Sequence, residues 1–100
     1  MTDAAKVEKT WTVKTTKVFD AELKKLDRTV ALQILKKLRR LETLDDPTVQ
    51  CKALAGPLAG LWRLRVGDWR VVLDIQCDAL VVLALDVDHR SKIYAKTISH

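Results

Sequence analysis

The chain has 100 residues, 48% of them hydrophobic, which is enough to build one core across a single domain 1–100 and excludes a disordered or disulfide-dependent class. Lys and Arg number 18 against 13 acids, a net charge of +5 that favours a polyanionic partner. No apolar run reaches the length of a membrane span, and Cys51 and Cys77 lie far apart without a CxxC pair or a His cluster. Two reduced thiols in a cytoplasmic protein are therefore expected, with no metal site and no cofactor.

Residues 1–9 are polar and mixed in charge, without the apolar region of a signal peptide, and read as a flexible leader. Thr10 to Thr15 alternates, with Trp11 and Val13 on one face, as a short first strand does. From Lys17 to Leu44 the period becomes helical. Phe19, Leu23, Leu26, Val30, Ile34, Leu38 and Leu41 recur every three or four residues and form one stripe. Asp27, Arg28 and Thr29 offer the one local break, where Asp27 or Thr29 could cap a second helix, but periodicity does not decide between one helix and two. Pro47 ends the helical region, and Ala55 to Gly60 reads as a loop by its Gly and Pro content.

Leu61 to Val66 alternates again, with Trp62, Leu64 and Val66 to one side and Arg63 and Arg65 to the other. Gly67-Asp68 fits a two-residue hairpin turn leading into a strand from Trp69 to Ile75. Gln76 to Ala79 turns the chain, and Leu80 to Leu85 is apolar enough for a strand buried on both faces. The predicted class is α+β: an N-terminal strand, a helical region, then a three-strand antiparallel meander, forming one twisted sheet with the helices on one side.

The hairpin carries a geometric consequence. A two-residue turn pairs Val66 with Trp69, so Arg65 lies opposite Arg70 and Leu64 opposite Val71, with Arg63 on the arginine face two residues back. Like charges directly opposite each other disfavour a sheet by roughly 0.2–1 kcal/mol. Guanidinium forks suit phosphate oxygens, so three of them on the solvated face resemble a phosphate cradle. The competing reading is a solvated face whose arginines pair with Asp74 or Asp86. Past the apolar strand, Asp86 to Tyr94 supplies His89, Arg90, Lys92 and Tyr94. His can transfer protons near neutral pH, Tyr can stack on a base or donate a proton, and the bland alternative is an ordinary charged strand end. Trp11, Trp62 and Trp69 could be stacking platforms, but the alternation places Trp62 and Trp69 on the core side.

Residues Leu54 to Leu73 (LAGPLAGLWRLRVGDWRVVL), Val87 to Tyr94 (VDHRSKIY) and the helical Ala21 to Arg28 together resemble the RelE/ParE superfamily of toxin–antitoxin toxins, over about Trp11 to Lys96. The ending His-Arg…Tyr is similar to the RelE branch. The resemblance implies a two-helix hairpin. It also implies a ribosome-dependent, metal-independent mRNA endoribonuclease that inhibits translation by attack of a ribose 2′-hydroxyl on the adjacent phosphate.

On that resemblance and the residue chemistry above, Arg63, Arg65, Arg70, His89, Arg90 and Tyr94 are the candidate catalytic residues, and Arg63, Arg65, Arg70, Arg90 and Lys92 the candidate RNA contacts. Arg63 and Arg65 stand where the family often has Lys. Arg stays protonated, so neither is a general base, and that role falls to Tyr94 or His89. The implied partners are a RelB-like antitoxin, the ribosome and mRNA, with operator DNA reached only through the antitoxin and no membrane. Two other functions fit the same residues: a ParE-like poison of DNA gyrase, and an RNA-binding module without chemistry.

Overall fold

A computed structural model describes residues 10–89. In chain order these form β1 (Thr12–Thr15), α1 (Lys17–Lys24), α2 (Arg28–Leu41), a 3-10 turn (Pro47–Gln50), β2 (Cys51–Ala53), a second such turn (Gly56–Leu58), β3 (Trp62–Val66), β4 (Trp69–Gln76) and β5 (Val81–His89). The sheet order is β1-β5-β4-β3-β2. β1 runs parallel to β5, and the other neighbours are antiparallel. The α+β class and the meander are as expected. The 3-residue β2 was not foreseen, because so short a segment carries no period.

Caps decide that the helical region is two helices. The Thr16 side chain accepts the Phe19 N–H at 3.1 Å to start α1, and Asp27 accepts the Thr29 N–H at 3.0 Å to start α2. The predicted stripe then faces the sheet. Phe19, Ile34, Leu38 and Leu41 are buried against Leu64, Val71, Leu73, Val82, Ala84 and Val87, with Leu23, Leu26 and Val30 packed at the margin. Trp11 is buried and donates its indole N–H to the Asp45 carbonyl at 3.1 Å, so it belongs to the core and is no stacking platform. Among the described residues no helix is long and apolar enough to cross a membrane.

The apolar last strand differs from expectation in two ways. Only Val82 and Ala84 are fully buried, whereas Val81, Leu83 and Leu85 are half-buried, so one face is core and the other is partly open. The strand also continues to His89 through an irregularity: Leu73 pairs with Ala84, but Val72 pairs with Asp86, so Leu85 is the extra residue of a bulge. The Leu85 carbonyl accepts the Thr16 hydroxyl at 2.9 Å, which ties the bulge to the start of α1.

Candidate nucleic-acid interface

The β3–β4 turn forms as its residues require. Gly67 adopts φ +61°, a left-handed conformation that an L side chain would strain. The register follows: Val66 faces Trp69, Arg65 faces Arg70, Leu64 faces Val71 and Arg63 faces Val72. Because Leu64 and Val71 are core residues under the helices, Arg63, Arg65, Arg70 and Val72 project to the opposite side of the sheet.

Two cross-strand rows emerge on that side. One is Arg65, Arg70 and Asp88, on β3, β4 and β5; the other is Lys52, Arg63, Val72 and Asp86, on β2 through β5. The face is therefore polarised, with cations on β2 and β3 and carboxylates on β5. Lys52 was missed in the sequence because β2 was. Asp86 and Asp88 reach this face only through the Leu85 bulge. Their carboxylates also bind backbone: Asp86 accepts the Val87 N–H at 2.8 Å and Asp88 the His89 N–H at 2.9 Å. Asp74 is on the same side but accepts from the Gln76 amide at 3.0 Å.

The three arginines are not equivalent. Arg65 is exposed and Arg63 half-buried, whereas Arg70 retains only 6% of its surface. The solvated face expected for Arg70 is thus corrected. Its guanidinium folds back on the hairpin, where one terminal nitrogen donates to the carbonyls of Gly67 at 2.9 Å and Trp69 at 3.0 Å. Its Nε is buried and makes no hydrogen bond among the described residues. An unmet buried donor costs about 1–3 kcal/mol, which an anion at this position would recover.

His89 lies elsewhere. It pairs with Trp69, whose row belongs to the helix side of the sheet, and the two rings meet edge to face with centroids 5.6 Å apart. The register thus sets His89 apart from Arg65 and Arg70, because strand neighbours alternate between faces. Trp62 and Trp69 are half-buried against the core, as their alternation suggested. Arg90, Lys92 and Tyr94 lie outside the described residues.

Neither cysteine adds chemistry. Burial, with Asp46 nearby, pushes the Cys51 thiol up to about 11, and Cys77 is exposed in the β4–β5 turn. Among the described residues no group of His, Cys, Asp and Glu could hold a metal ion.

A family model described as ParE toxin of type II toxin-antitoxin system, parDE, matches residues 13–94. No curated protein matches the sequence. Among solved structures, the chain resembles one in the toxin-antitoxin complex RelBE2 from Mycobacterium tuberculosis, at 28% identity and TM-score 0.73, over 82% of this chain and 93% of that one. It resembles the archaeal RelE-RelB complex from Pyrococcus horikoshii at 25% identity and TM-score 0.65, over 81% and 96%. The isolated E. coli RelE toxin shares the fold at 22% identity and TM-score 0.64, over 89% and 96%.

Proposed function

The chain belongs to the ParE toxin family of type II toxin–antitoxin systems, within the RelE/ParE superfamily, and on that premise we propose that it is a ribosome-dependent mRNA endoribonuclease that arrests translation. The observation that carries this reading is the facing pair Arg65 and Arg70 beside Arg63 and Lys52 on one side of the sheet. Two guanidiniums placed opposite each other repel, which the Gly67 and Trp69 carbonyls offset at Arg70, and a phosphodiester on this face adds charge-assisted partners.

In the proposed chemistry, Arg70 and Arg65 hold the scissile phosphate and stabilise the charge that develops on it. The 2′-hydroxyl attacks the adjacent phosphorus, the 5′-oxygen of the next nucleotide leaves and takes a proton from water, and a 2′,3′-cyclic phosphate forms. Tyr94, as its phenolate, accepts the hydroxyl proton, Arg90 adds positive charge, and Lys92 contacts the RNA backbone. His89, held against Trp69, supports the strand end in this scheme. No step calls for a metal. The partner is a RelB-like antitoxin that covers the basic face with an acidic segment, in the cytoplasm, and that carries any operator binding.

The test is expression of the toxin in growing cells, followed by primer extension on mRNA. Transcripts cut within codons are expected. Arg65→Ala and Arg70→Ala are each expected to lower cleavage by about 10²–10³-fold while antitoxin still co-purifies. Tyr94→Phe is expected to change the pH–rate profile, and His89→Ala to leave it unchanged. Full toxicity of both arginine variants would remove the active face.

A second reading, poisoning of DNA gyrase, is favoured by the parDE description of the matching family model. It predicts broken DNA with translating mRNA left whole, so the same induced cells discriminate the two.

A further inference from the structure

The arginine face is not the whole of the basic surface. The run Lys36, Lys37, Arg39 and Arg40 at the C-terminal end of α2 would ordinarily be a solvated helix face. Here two adjoining clefts are built on it. One, of about 250 Å³, is lined by Gln33, Lys36, Lys37, Arg40 and Val66. The other, of about 190 Å³, shares Lys37 and Arg40 and adds Leu41, Thr43, Leu44 and Gln50. Neither has a carboxylate in its wall, and their polar side chains all can donate hydrogen bonds.

The clefts are also joined to the arginine face. β2 pairs with β3 only as far as Leu64, so at Arg65 and Val66 the sheet ends at a free edge of β3. At that edge Lys37 donates its ammonium to the Arg65 carbonyl at 2.9 Å. The Arg65 side chain is exposed on one side of the sheet, and Lys36, Lys37 and Arg40 gather on the other. Positive charge therefore runs round a single strand edge without an intervening acid in the clefts.

We infer that this α2 groove is a second phosphate-binding surface, which holds the backbone of a polynucleotide flanking the segment on the arginine face. The inference rests on the nuclease reading for its ligand, and it names the path that single-stranded RNA takes off the sheet. RNA is favoured over an acidic peptide because the clefts lie just round the β3 edge from the exposed Arg65 side chain, and a single strand that leaves the arginine face at that edge reaches them. Recognition is of backbone charge, independent of base sequence.

The test uses the full chain and 2′-O-methylated single-stranded RNA, which binds but cannot be attacked. Oligonucleotides of about four and about twelve nucleotides are compared by fluorescence anisotropy over a salt series. Lys36→Gln combined with Arg40→Gln removes two exposed charges and spares Lys37, which holds the strand edge. For the longer RNA, the slope of log affinity against log salt should flatten by about 1.4, at roughly 0.7 for each phosphate no longer neutralised. For the shorter RNA it should not change, and Lys36→Gln alone should give about half the effect. An unchanged slope on the longer RNA, or equal losses at both lengths, overturns the groove. Lost antitoxin co-purification with intact RNA slopes also overturns it and makes an acidic peptide the occupant. Separately, Arg65→Gln leaving the short RNA unaffected would sink the arginine-face reading while the groove result stands.

Discussion

The two hairpins of the meander solve the same problem differently. β3 and β4 are joined by Gly67-Asp68, and the alternation is unbroken from Trp62–Leu73 to Val66–Trp69. β4 and β5 are joined by a longer turn, Cys77 to Leu80, in which Leu80 itself takes φ 54°, and the pairing is then offset by the Leu85 bulge. In the first hairpin the turn chemistry fixes which residues share a face. In the second the core fixes it. Were Leu85 paired with Val72 instead of bulged, continued pairing from Leu73–Ala84 would set Asp86 opposite the buried Val71 and turn Val87 outward. The bulge instead buries Val87 and delivers Asp86 and Asp88 to the arginine face.

Deleting Leu85 is the most direct way to remove this difference. It leaves Asp86 opposite Val72 and Val87 opposite Val71 in an unbroken ladder, and removes the half-buried Leu85 side chain and the carbonyl that accepts the Thr16 hydroxyl. We expect destabilisation of about 2–3 kcal/mol, with a single cooperative transition, on urea unfolding. A deletion variant melting like the parent would show that the bulge is incidental.

Next in size are three positions outside the pairing: Thr16 beside the bulge, and Gly67 and Leu80 in the two turns. Thr16→Ala removes the α1 cap and the donor to the Leu85 carbonyl, and should cost about 1–2 kcal/mol. Gly67→Ala meets no atom within 4 Å of the added carbon, so its cost is conformational, about 1–2 kcal/mol. Leu80→Gly should fall within about 1 kcal/mol of neutral, because relief of the left-handed strain offsets the burial that is lost. Equal losses for Gly67→Ala and Leu80→Gly in thermal melts would contradict the distinction between a turn-led and a core-led hairpin.

The smallest effects concern the thiols. Cys77, in the core-led turn, should react with a disulfide reagent at pH 8 far faster than Cys51, counted by mass spectrometry. The raised Cys51 value also signs its pH dependence. The unfolded thiol ionises near 9.0 and the folded one near 11, so its contribution is whole below pH 9 and is lost as pH rises through 11. Cys51→Ser should flatten that alkaline slope.

The site was partly legible for the same reasons. Arg65 opposite Arg70 followed from Gly67-Asp68 alone, since a two-residue turn leaves one register. The helical stripe from Phe19 to Leu41 followed from its period. Lys52 did not, because a three-residue edge strand has no pattern to read. His89 adjoins the candidate residues in sequence, yet a strand sends successive side chains to opposite faces. The burial of Arg70 was also hidden, because the guanidinium is held by carbonyls of its own turn and carbonyls leave no mark in a sequence.

The amino-acid sequence by itself determined the α+β class, the helical stripe, the β3–β4 register and the basic charge, because each is set by residue types and their local spacing. Only the tertiary structure decided the parallel β1–β5 pairing, the Leu85 bulge and the meeting of α2 with the free edge of β3. Those depend on which apolar atoms, distant along the chain, must be buried together, and the polar groups take the positions that this burial leaves.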